Sequence, residues 1–110
     1  MIDRTIHDIE ARIQKAPHLG TPQKKELLDL MKQLEQEVSL LSRTYGEEAQ
    51  SIADFGNLTA GEGLKGRKDP RLFQIAADGF KASVERFELS HPVLVRTVNN
   101  ICGYFSNLGI

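Results

Sequence analysis

Thiols are almost absent from this 110-residue chain: Cys102 is the single cysteine, which excludes an intramolecular disulfide framework and any cysteine-cluster zinc site. Tryptophan is missing and aromatic residues make up only 6%, so the 40% hydrophobic content is mostly aliphatic. No uncharged apolar run approaches the ~18 residues a membrane span requires, and the N-terminus lacks the basic-then-apolar order of a secretory signal. A surplus of charge is lacking too. The 14 basic and 15 acidic side chains leave a net of -1, so there is no global attraction to nucleic acid or anionic lipid. These absences predict a soluble, cytoplasmic protein with no membrane partner, and the length suits one domain spanning residues 1–110.

What the chain does have is helical periodicity. Ile2, Ile6, Ile9 and Ile13 recur at steps of four, three and four, a stripe that a strand would scatter over both faces. Pro17 and Gly20 interrupt the pattern, and Thr21-Pro22 reads as an N-cap followed by proline at the first helical position. A second, longer helix follows through Leu27, Leu30, Leu34, Val38 and Leu41, so residues 1–44 form an unequal helical hairpin. Its overhanging end is expected to pack on the C-terminal half or on another subunit.

Residues 45–70 are less regular. A short helix is expected near Glu47 to Phe55, and Gly56, Gly61, Gly63 and Gly66 read as a glycine-rich flexible loop over 56–70. From Arg71 the stripe Leu72, Ile75, Ala76, Phe80, Val84 and Phe87 marks a third long helix. Ser90-His91-Pro92 restarts the chain, and Leu94, Val98, Ile101, Phe105 and Leu108 mark the last helix. Gly109 and Ile110 are expected to close that helix as a Schellman cap, as at a finished C-terminus. The fold class is therefore all-α: a helical hairpin and a C-terminal helix pair, residues 71–110, forming a small bundle around a central loop.

Phe87-Glu88-Leu89-Ser90-His91-Pro92-x-Leu94, followed by a helix ending in Ser106-Asn107-Leu108-Gly109-Ile110, resembles the C-terminal signature of a small bacterial family of unknown function, DUF4404. The hairpin over residues 5–42 is similar in pattern. The resemblance implies a compact all-helical protein and carries no reaction, ligand or catalytic residue with it.

Chemistry-bearing patterns are few. Gly61-Glu62-Gly63-Leu64-Lys65-Gly66 has the letters of a dinucleotide fingerprint but lacks the strand before it and the βαβ context. Glu88 and His91 have the E-x-x-H spacing of carboxylate-bridged metal bundles, yet Ser90-Pro92 breaks the helix there and no second copy completes a set. Cys102 falls mid-helix beside the core stripe, where a thiol is inert. No Gly-x-Ser-x-Gly elbow occurs. The chain is expected to have no catalytic residue, no metal site and no cofactor, and not to be an enzyme.

Two interaction readings remain. The first is a non-enzymatic helical protein that self-associates, or binds a partner helix, through Ile2, Ile6, Ile9, Ile13, Val38 and Leu41. Isoleucine at both core positions of a heptad favours higher parallel oligomers, which makes a homo-oligomer the leading expectation. The second is accessory binding of nucleic acid or another anion by Lys65, Arg67, Lys68 and Arg71, four of the 14 basic residues within seven positions. That cluster has no interleaved aromatics to stack bases.

Overall fold

The computed structural model describes residues 1–108. The all-α class holds: helices α1 (Ile2–Lys15), α2 (Thr21–Ser42), α3 (Gly46–Gly63), α4 (Pro70–Val84) and α5 (Pro92–Asn107) follow in order, with a 3₁₀ turn at Glu85–Phe87. No strand occurs among the described residues.

Local sequence explains most of the boundaries. Ala16 turns to extended backbone at φ -65°, ψ 113°, as a residue before proline must, and this ends α1. Gly20 caps α2, and the Gln23 side chain accepts its backbone N–H at 2.7 Å. Thr21, expected as the cap, is instead the first helical residue, with Pro22 following in the first turn where its missing N–H is harmless. At α4, Asp69 accepts the N–H groups of Arg71 and Leu72 at 2.9 and 3.2 Å, satisfying two otherwise orphaned donors.

The central segment corrects the sequence reading. Residues 56–63 are helical, and α3 runs for 18 residues with no loop at Gly56, Gly61 or Gly63. Glycine is a poor helix former in isolation, but tertiary packing overrides propensity when the missing side chain is what lets helices approach. A Cβ on Gly56 would lie 3.1 Å from Phe80 Cζ, and one on Gly63 would lie 2.7 Å from Phe105 Cδ1. These glycines, with Ala49, Ala53 and Ala60, form the small-residue inner ridge of α3. The true connection is residues 64–69.

Because α3 is long, it touches all four other helices. Thr5 with Gln50 and Arg12 with Asn57 pair at a constant offset of 45 residues, so α1 and α3 lie parallel and in register. The packing covers the overhang of α2 from within, since Val38 and Leu41 are buried and α2 contacts both α3 and α5. A Cα radius of gyration of 13.0 Å matches one compact body of this length. The cap expected from Gly109 and Ile110 lies outside the described residues.

Candidate functional site

The isoleucine stripe is not a surface. Ile6, Ile9, Ile13 and Val38 have zero exposure, Leu41 has 1%, and Ile2 is half-buried against the same core. The interface expected on these six residues is corrected: α2 and α3 already cover them, because α3 supplies the neighbour that a four-helix reading lacked.

The basic segment is divided between two structural tasks. Lys65 Nζ sits 2.9 and 3.0 Å from the two carboxylate oxygens of Glu62. Lys68 Nζ donates to the carbonyls of Phe105 and Leu108 at 2.7 and 3.0 Å, closing the end of α5, and lies 4.6 Å above the Phe73 ring. Burial lowers its pKa from the ordinary lysine value. Arg67 and Arg71 are exposed. The concentration of positive charge has a helical cause. The short connections make α1, α3 and α5 end together, and three negative dipole ends are met by Arg12, Lys15, Lys65 and Lys68. A shallow groove of about 260 Å³ lined by Arg12, Lys15, Gly61 and Lys65 opens at this end.

At the opposite end lies the Phe87 to Pro92 motif. Phe87 packs edge-on against Tyr45 with ring centroids 5.2 Å apart and against His91 at 5.9 Å. The Arg86 guanidinium lies over Tyr45 and Phe87 at 5.3 and 5.0 Å and reaches Glu48 at 3.5 Å. His91 Nδ1 is 2.9 Å from Ser90 Oγ. The motif therefore staples the α2–α3 corner to the α4–α5 corner. An open groove of about 410 Å³ beside it is lined by Lys81, Glu85, Glu88, Val95 and Asn99, and His91 does not line it. Among the described residues no group of three or more His, Cys, Asp or Glu side chains converges as a metal site would require. No described helix is long and apolar enough to cross a membrane. Cys102 is buried with its Sγ 3.9 Å from the Ala77 carbonyl, and burial raises its pKa to about 11.

A different surface stands out. Phe55 and Leu58 on α3 and Leu72 and Ile75 on α4 remain 38, 58, 47 and 62% exposed. Gly79 locates them. A Cβ there would lie 2.6 Å from Phe55 Cε1, so the Phe55 ring covers Gly79. In an antiparallel hairpin that crossing sets Leu58 beside the turn bearing Ile75 and Leu72. The four side chains thus share the outer seam of α3 and α4. Leu72 and Ile75 were expected in the core, but the buried face of α4 is Phe73, Ala76, Ala77, Phe80 and Val84. The available signal was width: Leu72, Phe73, Ile75, Ala76, Ala77 and Phe80 span more of a helix than one core face needs.

No curated protein and no solved structure matches the chain. The family model does match, over residues 23–110, four of the five helices and both packed corners of the Phe87 to Pro92 motif. The chain belongs to the family described as domain of unknown function DUF4404.

Proposed function

We propose that this is a non-enzymatic helical interaction module whose working surface is the outer seam of α3 and α4. The observation that carries the reading is the cluster Phe55, Leu58, Leu72 and Ile75, large apolar side chains left exposed together on two helices. A contiguous apolar patch rimmed by polar residues marks a docking surface, whereas scattered exposed leucines do not. The rim here is Asp54, Glu62, Arg71, Gln74 and Asp78. The grooves are open, and the two buried hydroxyls, Thr59 and Thr97, donate back to the Phe55 and Val93 carbonyls of their own helices, so the surface offers shape for a protein face. A reducing, cytoplasmic setting suits the one buried thiol.

The test is site-specific photo-crosslinking in cells. A photoreactive residue at position 58 or 75 is expected to give discrete protein adducts, while the same residue at Gln33, exposed on α2, gives background. Equal background at all three positions counts against an interaction role for this seam.

A further inference from the structure

The charges around the seam are arranged in a way that selects its occupant. Arg71 lies one turn before Ile75 and Asp78 nearly one turn after it, so the α4 side of the patch runs from a positive end through Leu72 and Ile75 to a negative end. On α3 the acidic Asp54 lies at the same end as Asp78, by the crossing of Phe55 over Gly79. Both carboxylates accept only amide hydrogen bonds within the chain, from Gln50 to Asp54 at 2.9 Å and from Gln74 to Asp78 at 2.7 Å. Among the described residues neither carboxylate, nor Arg71, has an ion-pair partner. An apolar centre with opposite charges at its two ends is the pattern of an isologous two-fold interface, in which each copy supplies what the other lacks.

We infer that the outer α3–α4 seam docks a second copy of this chain in antiparallel orientation, with Leu58 and Ile75 at the centre and Arg71 of each copy against Asp78 of the other. This rests on the interaction reading above and names its partner. The parallel alternative sets Arg71 against Arg71 and Asp78 against Asp78, like charges across an apolar face. Other partners fit less well: an anionic membrane or nucleic acid calls for one sign of charge along the whole surface, and this seam carries both. Arg71 and Asp78 are about 10 Å apart along α4, at seven residues of 1.5 Å rise, so both pairs flank a patch only a few turns long. An interface of that size belongs to the weak, transient class, with a Kd on the order of 10–100 µM.

Sedimentation equilibrium from about 1 µM to 1 mM tests this, with circular dichroism confirming that each variant stays helical. The wild-type chain is expected to pass from 12.3 kDa toward twice that mass. Leu58→Glu should raise Kd at least tenfold, and so should Arg71→Asp or Asp78→Arg alone. An equimolar mixture of R71D and D78R should regain a dimer, because each then meets its opposite charge across the seam at both ends. A wild-type chain that stays monomeric at 1 mM overturns the inference, and so does a dimer indifferent to L58E. A dimer that R71D and D78R leave unchanged, or that their mixture fails to restore, overturns the antiparallel pairing. The interaction reading fails separately, on equal background at positions 33, 58 and 75; photo-adducts at 58 and 75 to other proteins, with no self-adduct, leave it standing and exclude the second copy.

Discussion

The α1–α2 hairpin and the α3–α4 hairpin follow one plan, two antiparallel helices joined by a short connection, but they leave different amounts of large apolar side chain outside. In the first, the big aliphatic residues point inward: Ile6, Ile9, Ile13, Leu27, Met31 and Leu34 have zero exposure. In the second, α4 turns Phe73, Phe80 and Val84 inward and α3 adds Ile52, but the rest of the α3 ridge is Ala49, Ala53, Gly56, Ala60 and Gly63, and Phe55 and Leu58 stay outside with Leu72 and Ile75. The small residues at Gly56 and Gly63 make room for the side chains of Phe80 and Phe105, so the core beside α3 is filled by its neighbours and not by α3's own large residues. Of the large apolar residues in its helices the first hairpin leaves only Leu40 exposed, whereas the second leaves four and keeps apolar surface for something else.

The largest effect should come from cutting into each hairpin's big side chains. Ile9→Ala removes a fully buried side chain next to α2 and α3, and is expected to cost about 2–5 kcal/mol in chemical denaturation. Leu58→Ala, at 58% exposure, should fall within about 0.5 kcal/mol under conditions where the chain is monomeric. Comparable losses for the two would break the distinction between an inward and an outward hairpin.

A second pair probes the small-residue seam itself. At Gly63 an added methyl meets Phe105 at Cδ1, Cγ and Cβ, atoms near the backbone of a fully buried residue, so α5 must shift. Overpacking of this kind costs about 1–3 kcal/mol, which outweighs the helix gain of replacing glycine, and Gly63→Ala should lower the melting temperature measurably. Gly79→Ala meets only the outer atoms of the Phe55 ring, which is 38% exposed and can swing outward, so its loss should be smaller. If Gly79→Ala proves the more damaging, Phe55 is a locked part of the core and the outer seam is narrower by that ring.

The same contrast explains what could be read before the structure. The isoleucine and leucine stripes of α1, α2 and α5 announce themselves because a large residue every three or four positions has one explanation, burial. The α3 ridge does not, because glycine in a sequence means flexibility far more often than close approach, and only the positions of Phe80 and Phe105 in space tell the two apart. The interface expectation failed for the same reason. Once Gly56 to Gly63 is taken as loop, the α1 stripe and the α2 overhang look uncovered, and their residues look available. On α4 the period was legible but its phase was not: a rotation of one residue, about 100°, moves Leu72 and Ile75 from the core to the outside. The basic cluster was visible as charge, but the bonds of Lys68 to the Phe105 and Leu108 carbonyls depend on α3 and α5 ending together.

Cys102 reports on the second hairpin in a third way, through its contact with the Ala77 carbonyl of α4. Its pKa is raised to about 11 from 9.0 because burial penalises the thiolate. The folded state thus binds the proton more tightly than the unfolded chain. That contribution to stability is complete below about pH 9 and is lost as pH rises toward 11. At pH 8 a thiol reagent should modify the native protein far more slowly than the urea-unfolded chain, at a rate limited by opening. A rate exceeding what global unfolding allows would mean that α4 and α5 part locally while the α1–α2 hairpin holds, sharpening the contrast between the halves.

The smallest effect has the opposite sign. Gly103 lies in the interior of α5 on its exposed face, and an added Cβ there meets nothing within 4 Å. It has neither the close approach that Gly63 needs nor a ring to cover, so its only energetic consequence is the extra backbone freedom it gives the unfolded chain. Gly103→Ala should therefore stabilise the protein by about 0.5–1 kcal/mol, read as a higher urea midpoint with an unchanged slope. Set beside Gly63→Ala, the same one-methyl change then moves stability in opposite directions within one fold. A loss at Gly103 would show that α5 also packs closely against a surface there, such as the face of another molecule.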